Sequence, residues 1–244
     1  MRRILIIFML LILLATACVP ESAPTEEATE LSDEPTPMPA ATEPGSDETP
    51  IGPVEEAVIK QLAENLGLDE GDITVVSSET TEFGDACLGV SMEGVMCAQV
   101  VTSGRTIVLE ANGIPYEYHT SEDGSRIQPA SLGLVWKREG GIAGFCDTLT
   151  VFRSGEVFAS KCGSQPEGTM NTFATLMTAR EIQQFQSWIS EFEETQLDAS
   201  DPKGVADRMV VTVEAFGLGD ASPTESEEQE LFNFAQDLYQ KMNK

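Results

Sequence analysis

Apolar residues at Val54, Val58, Leu62 and Leu66 recur every four positions and stop at Gly67. That spacing predicts an amphipathic helix closed by a glycine in the left-handed conformation. From Asp72 to Ser78 the pattern changes to that of a strand. Two hairpin signals follow: CAQVVT and RTIVLEA flank Ser103-Gly104, and TIVLEA and IPYEYH flank Asn112-Gly113, the second being the strongest short turn signal. For residues 51–128 the expectation is one helix and about four antiparallel strands, with the helix covering one face of the sheet.

Residues 132–244 carry a second pattern. Leu132 to Lys137 reads as a strand, followed by the glycine-rich turn Gly140-Gly141-Ile142-Ala143-Gly144-Phe145. DTLTVFRSGEVFASK then reads as two strands around Arg153-Ser154-Gly155, a three-residue loop with glycine in the left-handed position. In that register Val151 faces Val157, Leu149 faces Ala159, and Cys146 falls opposite Cys162. Thr178 and Glu181 form a capping box, and Met177 and Ile182 a hydrophobic staple. They open a helix with Ile182, Phe185, Ile189 and Phe192 on its apolar face. A strand from Met209 follows, and then a helix opened by Ser222-Pro223-Thr224-Glu225 with Pro in its first turn. Leu231, Phe234, Leu238 and Met242 line the buried side of that helix. The order is βββαβα, and the fold class expected for the chain is α+β: two small domains, each an antiparallel sheet packed against one or two helices.

The first fifty residues follow a different pattern. Arg2 and Arg3 precede an unbroken apolar run from Ile4 to Ala15, the arrangement of an export signal. The run is shorter than the ~20 residues that a bilayer-spanning helix needs. Ala15-Thr16-Ala17-Cys18 resembles the lipobox of bacterial lipoproteins, with Ala15 where that family usually has Leu. The resemblance implies cleavage after residue 17 and a lipid on the Cys18 thiol, and hence a lipid-bilayer partner. It also implies a place in the cell envelope, on the outer face of the cytoplasmic membrane or on the outer membrane. Residues 18–50 are rich in Pro, Thr, Glu, Ser and Ala, and from residue 19 onward hold nine acidic side chains and no basic one. Such a stretch buries too little apolar area to offset its ordering entropy, and it reads as an acidic linker.

Charge narrows the partners. The chain has 41 acidic and 14 basic residues, a net charge of −27; loss of Arg2 and Arg3 with the leader takes this to −29. Phosphate backbones would be repelled, so nucleic acid is excluded as a partner. A cation, a basic protein surface or simple solubility remain as explanations of the excess.

Beyond Cys18 the chain has Cys87, Cys97, Cys146 and Cys162. Outside the cytoplasm four cysteines point to two disulfides with three connectivities. The hairpin register favours Cys146–Cys162, because directly opposed strand positions are within disulfide reach. Cys87–Cys97 follows by elimination. Spacings of nine and fifteen intervening residues, with no close Cys-x-x-Cys pair, fit a structural zinc site poorly.

No catalytic constellation stands out. His119 is the only histidine, and Ser121 and Asp123 lie beside it along one strand end, whereas a triad needs members that converge in space. No phosphate-binding loop, dinucleotide fingerprint, HExxH or nucleophile elbow occurs. The expectation is a chain that is not an enzyme, with no cofactor and no metal, in which Trp136 and Trp188 belong to the core.

Two further resemblances concern the globular part. The amphipathic helix, LGLDEGDITVVSSE and the extended pair ending in YEYHT resemble PepSY-type modules, found in metallopeptidase propeptides and envelope proteins. Strand, Gly140–Phe145 turn, hairpin, capped helix, strand and terminal helix resemble emfourin-type domains, which inhibit thermolysin-like metallopeptidases. The cysteine pair and the insertion from Gly163 to Asn171 depart from that compact family. The second resemblance implies a non-catalytic binding protein, with residues 140–145 as candidate binding turn and an extracellular peptidase or other envelope protein as partner. An envelope structural or sensing module that binds cell-wall material, another envelope protein or cations is the alternative.

Overall fold

The computed structural model describes residues 51–162 and 170–242. The leader, Cys18 and the linker expected over residues 1–50 lie outside the described residues, as do residues 163–169 of the expected insertion. All described residues fall within one compact unit, residues 47–244.

The first half begins with helix α1 (Pro53–Leu66), which buries Val58, Ile59, Leu62 and Ala63 and ends on Gly67 at φ 69°. A single 3-10 turn leads into four strands, β1 (Thr74–Phe83), β2 (Thr102–Ala111), β3 (Ile114–Ser121) and β4 (Ile127–Pro129). They form an antiparallel sheet in the order β1-β2-β3-β4. The α1 stripe packs on Ile107 and Leu109 of β2 and on Ile114, Tyr116 and Tyr118 of β3, alternate positions that share one sheet face. Asn112 and Gly113 both have positive φ, 53° and 77°, as a two-residue primed hairpin turn requires.

One expectation fails here. Ser103-Gly104 is not a turn; both residues lie inside β2, paired with Glu82 and Thr81 of β1. A Cβ on Gly104 would stand 1.9 Å from the Thr120 carbonyl oxygen and 3.0 Å from the Phe83 ring. Glycine is needed there because backbone and ring approach closely, which is the other reason for a glycine inside a strand. The segment before it, read as a strand, is instead an exposed connection, and β4 supplies the fourth strand.

The second half contains β5 (Leu132–Gly140), β6 (Phe145–Phe152), β7 (Glu156–Cys162), β8 (Met170–Leu176), α2 (Ala179–Glu191), β9 (Thr195–Asp198), β10 (Met209–Ala215) and α3 (Glu225–Met242). Six strands pair in the order β8-β7-β6-β5-β10-β9. The expected register of β6 on β7 holds: Val151 faces Val157 and Leu149 faces Ala159, with Gly155 at φ 97°. Thr178 and Glu181 form the capping box of α2, and the staple residues Met177 and Ile182 are buried. A cap of this kind contributes ~1 kcal/mol. Both helices pack on Leu134, Trp136, Leu149, Val151 and Val213 of the sheet, with Trp188 in the same core.

The order is therefore ββββαββα, two strands richer than expected. β8 and β9 are the sheet's edges, and β9 has four residues alternating between exposed and half-buried. Edge strands facing water lack the apolar alternation that marks a strand in sequence. Pro223 lies before the last helix instead of in its first turn. Thr224 is the cap, its amide donating to Glu227 at 2.7 Å.

Two cores thus stand side by side, joined by a polar seam. Gln61 and Asn65 of α1 donate to Oε1 of Glu156 at 3.2 and 2.7 Å, while Ser154 donates to Oε2 of the same carboxylate. Gln186 of α2 donates to the Tyr116 hydroxyl at 2.8 Å. The Tyr118 hydroxyl is buried without a well-aligned partner, beside Ser154 and Asn65. Burial first, then the Glu156 carboxylate, pushes its pKa well above the usual value. Leu66 packs against both cores.

Candidate functional site

The glycine-rich segment is the connection between β5 and β6, and its base is fixed from several directions. Arg138 and Asp147 face each other across the two strands. Arg138 Nε donates to Asp147 Oδ2 at 2.9 Å, and its terminal NH2 group donates to the same oxygen. The Asp147 side chain is 5 % exposed, so this charge-assisted pair is largely shielded from water. The guanidinium carbon lies 3.9 Å from the Phe145 ring centroid and 5.7 Å from those of Trp136 and Tyr239. A cation over an aromatic face adds ~0.5–2 kcal/mol as water is excluded. One side chain therefore ties the hairpin to the core and to α3.

Beyond that base the chain turns through Gly140, Gly141 and Gly144 at φ 82°, 70° and 65°, values that side-chain-bearing residues rarely adopt. Gly141 N–H donates to the Arg208 carbonyl at 3.2 Å, and Gly144 N–H to Gly141 at 3.0 Å. A Cβ on Gly140 would stand 2.5 Å from the Arg208 oxygen, so the residue that leads into β10 is pressed against the turn. Ile142 at the tip is 92 % exposed. A large aliphatic side chain thus stands out in water at the tip of a turn whose base is pinned. What the hairpin offers chemically is shape and apolar surface, the ingredients of recognition.

The chain is similar to one described family over less than a third of its length. A family model described as a domain of unknown function, DUF8738, matches residues 55–129, the span from the first turn of α1 to the end of β4. No curated protein and no solved structure matches the chain. The hairpin lies outside the matched span.

Cys87 and Cys97 form a disulfide with Cα atoms 5.5 Å apart. Asp85 accepts from the Cys87 and Gly89 amides at 2.8 and 3.1 Å, which orders the start of the closed loop. Asp85, Cys87 and Cys97 are also close enough to hold a metal ion, but the bonded sulfurs have no thiolate to offer. Cys146 is disulfide-bonded as well. Two further steps in the β6–β7 register place it opposite Cys162, whose side chain lies outside the described residues. Met92, Glu93 and Val95 of the closed loop share a cleft with Thr148, Thr150 and Phe158 of the second sheet.

His119 does not join Ser121 and Asp123. Its Nδ1 is 2.7 Å from the Leu88 carbonyl and its Nε2 2.8 Å from Glu117, and its ring packs 4.8 Å from Phe83. The Ser121 hydroxyl donates to Asp123 at 2.7 Å within the next turn. The imidazole is thus half-buried and helps fasten the disulfide loop onto the first sheet.

The arginine brace was missed in the sequence. Its signal was available: four residues between Gly140 and Phe145 set a register in which Arg138 opposes Asp147. Glu55 was missed too. It is 4 % exposed, and it accepts from Ser78 at 2.5 Å, Gly52 N–H at 3.0 Å and Arg105 at 3.2 Å. Burial raises its pKa, but the Ser78, backbone and Arg105 interactions outweigh this and hold it below the ordinary value.

Proposed function

We propose that this chain is a lipid-anchored, extracytoplasmic, non-catalytic binding protein whose β5–β6 hairpin inserts Ile142 into an apolar pocket of an extracellular metallopeptidase and inhibits it. The observation that carries the reading is the exposed Ile142 on its braced turn. An isolated exposed aliphatic residue is ordinary, but this one stands at the tip of a turn whose base is held by the Arg138–Asp147 pair and the Gly141–Arg208 hydrogen bond, so ordering that base costs nothing further on binding. Rigid presentation raises affinity by lowering that cost. The emfourin resemblance read from the sequence of residues 132–244 supports this class of partner, although β8 and β9 add two strands to the order on which it was read, and the lipobox-like Ala15-Thr16-Ala17-Cys18 supports the address.

Titrating the purified chain against a panel of thermolysin-like peptidases tests this reading. Inhibition at low molar ratio is expected, weakened at least about thirtyfold by Ile142→Asp, since burying an Ile is worth ~2 kcal/mol. Full peptidase activity at large excess, or undiminished inhibition by the variant, rejects the hairpin as the inhibitory element. Address is tested separately: Cys18→Ser is expected to move the protein from the membrane fraction to the soluble one. An unmodified Cys18 in the native protein refutes the anchor.

A further inference from the structure

β9 is an open edge of the six-stranded sheet, and its outward backbone groups can be identified. Ala199 N–H donates to the Val211 carbonyl, and Leu197 lies opposite Val213. In an antiparallel ladder bonded and non-bonded pairs alternate, so Thr195, Leu197 and Ala199 bond to β10. Gln196 and Asp198 aim their N–H and C=O groups away from the sheet. Among the described residues no backbone group meets them there.

Helix α3 overhangs this edge with Glu225, Glu228, Gln229 and Phe232, which border a groove of about 370 Å³ together with Leu197 and Asp198. Spacings of three, four and seven place those four residues on one helical face. The groove has an apolar floor, Leu197 and Phe232, both partly buried against the main core. Glu225 and Glu228 border it on the helix side, the Asp198 side chain alternates with Leu197 and points to the other face of the sheet, and neither Lys nor Arg lines the groove. Among the described residues none of the three carboxylates takes part in an ion pair within 4 Å; Lys203 and Arg208 act on Asp198 only at longer range.

We propose that this groove docks an extended segment of a partner protein in which basic and apolar residues alternate, and which adds a strand beside β9. Three parts of the groove match that occupant. Unpaired N–H and C=O groups receive a strand backbone, the usual liability of an open edge. Leu197 and Phe232 receive the apolar side chains on the helix side, Asp198 receives Lys or Arg on the other face of the added strand, and Glu225 and Glu228 add to the attraction at longer range. The same carboxylates disfavour a second copy of this chain, whose own edge would bring three more negative charges. This inference is independent of the β5–β6 hairpin.

The test is binding of the capped peptide Lys-Val-Lys-Val-Lys-Val to the full chain by calorimetry, with amide NMR shifts mapped onto the sequence. The expected result is binding with the largest shifts at Gln196 and Asp198. A peptide N-methylated at alternate residues keeps its charge but loses one row of N–H donors. It should bind about tenfold more weakly, the equivalent of one or two lost hydrogen bonds. The Asp198→Asn/Glu225→Gln/Glu228→Gln variant should weaken the unmodified peptide to a similar degree. No binding, equal binding of the methylated peptide, or shifts scattered over the acidic surface would overturn the proposal; the last two would mark nonspecific charge attraction.

Discussion

Replacing Glu55 by Gln keeps the shape of a buried side chain and removes only its charge. In the native protein Oε2 accepts from Gly52 N–H, and Oε1 accepts from both Ser78 and Arg105. An amide has one acceptor oxygen. Whichever way it turns, its NH2 group faces a donor, either the Gly52 amide or the Ser78–Arg105 pair. Hydrogen bonds to a charged group contribute ~1.5–3 kcal/mol each, and Arg105 is 37 % exposed, which puts its share at the low end. A loss of about 2 kcal/mol is expected. With a slope of ~2 kcal/mol/M for urea, the unfolding midpoint should fall by about 1 M. The sign with pH follows from the lowered pKa of Glu55. A depressed carboxylate contributes its stability above the unfolded-state pKa, ~4.3, and loses it as pH falls through the lower folded-state value. The gap between wild type and Glu55→Gln should therefore be full at pH 7 and shrink progressively below about pH 4. Equal midpoints at pH 7, or a gap that does not change on acidification, would refute the reasoning.

Two further perturbations separate the roles assigned to the first sheet. Gly104→Ala forces a Cβ to within 1.9 Å of the Thr120 carbonyl; it should destabilise by at least ~2–3 kcal/mol and perturb the β2–β3 amides in an NMR spectrum. A solvated turn at that position would have tolerated the change. Removing the Cys87–Cys97 bond by paired Ala substitution reopens a loop with ends ten residues apart, a loss of up to ~3 kcal/mol by loop entropy. It should also alter the His119 ring resonances, because Leu88 lies in that loop; unchanged resonances would contradict the contact.

How much of this was legible depended on where each signal came from. Helix periodicity, the Gly67 stop, the capping box at Thr178 and the Asn112-Gly113 turn are local, and the structure has each of them in place. The α+β class followed because those elements leave few packing solutions. Gly104 misled because a Ser-Gly pair looks the same whether glycine supplies a turn or makes room for a carbonyl sixteen residues away. β8 and β9 stayed invisible because their partners, not their own composition, make them strands. The candidate turn at residues 140–145 was legible as glycine-rich, but the bracing of its base was not, since Arg208 and Tyr239 join Arg138 and Asp147 there from two distant points of the chain.

The Glu156 carboxylate takes donors from α1 on one side and from its own hairpin on the other, while Tyr116 and Tyr118 are buried near the same junction. Cutting the chain near residue 130 would strand Gln61 and Asn65 without their acceptor and open two aromatic faces to water. The span that the family model covers should therefore be less stable alone than in this molecule. Loosening either half weakens the other, and the pair should melt cooperatively as one body.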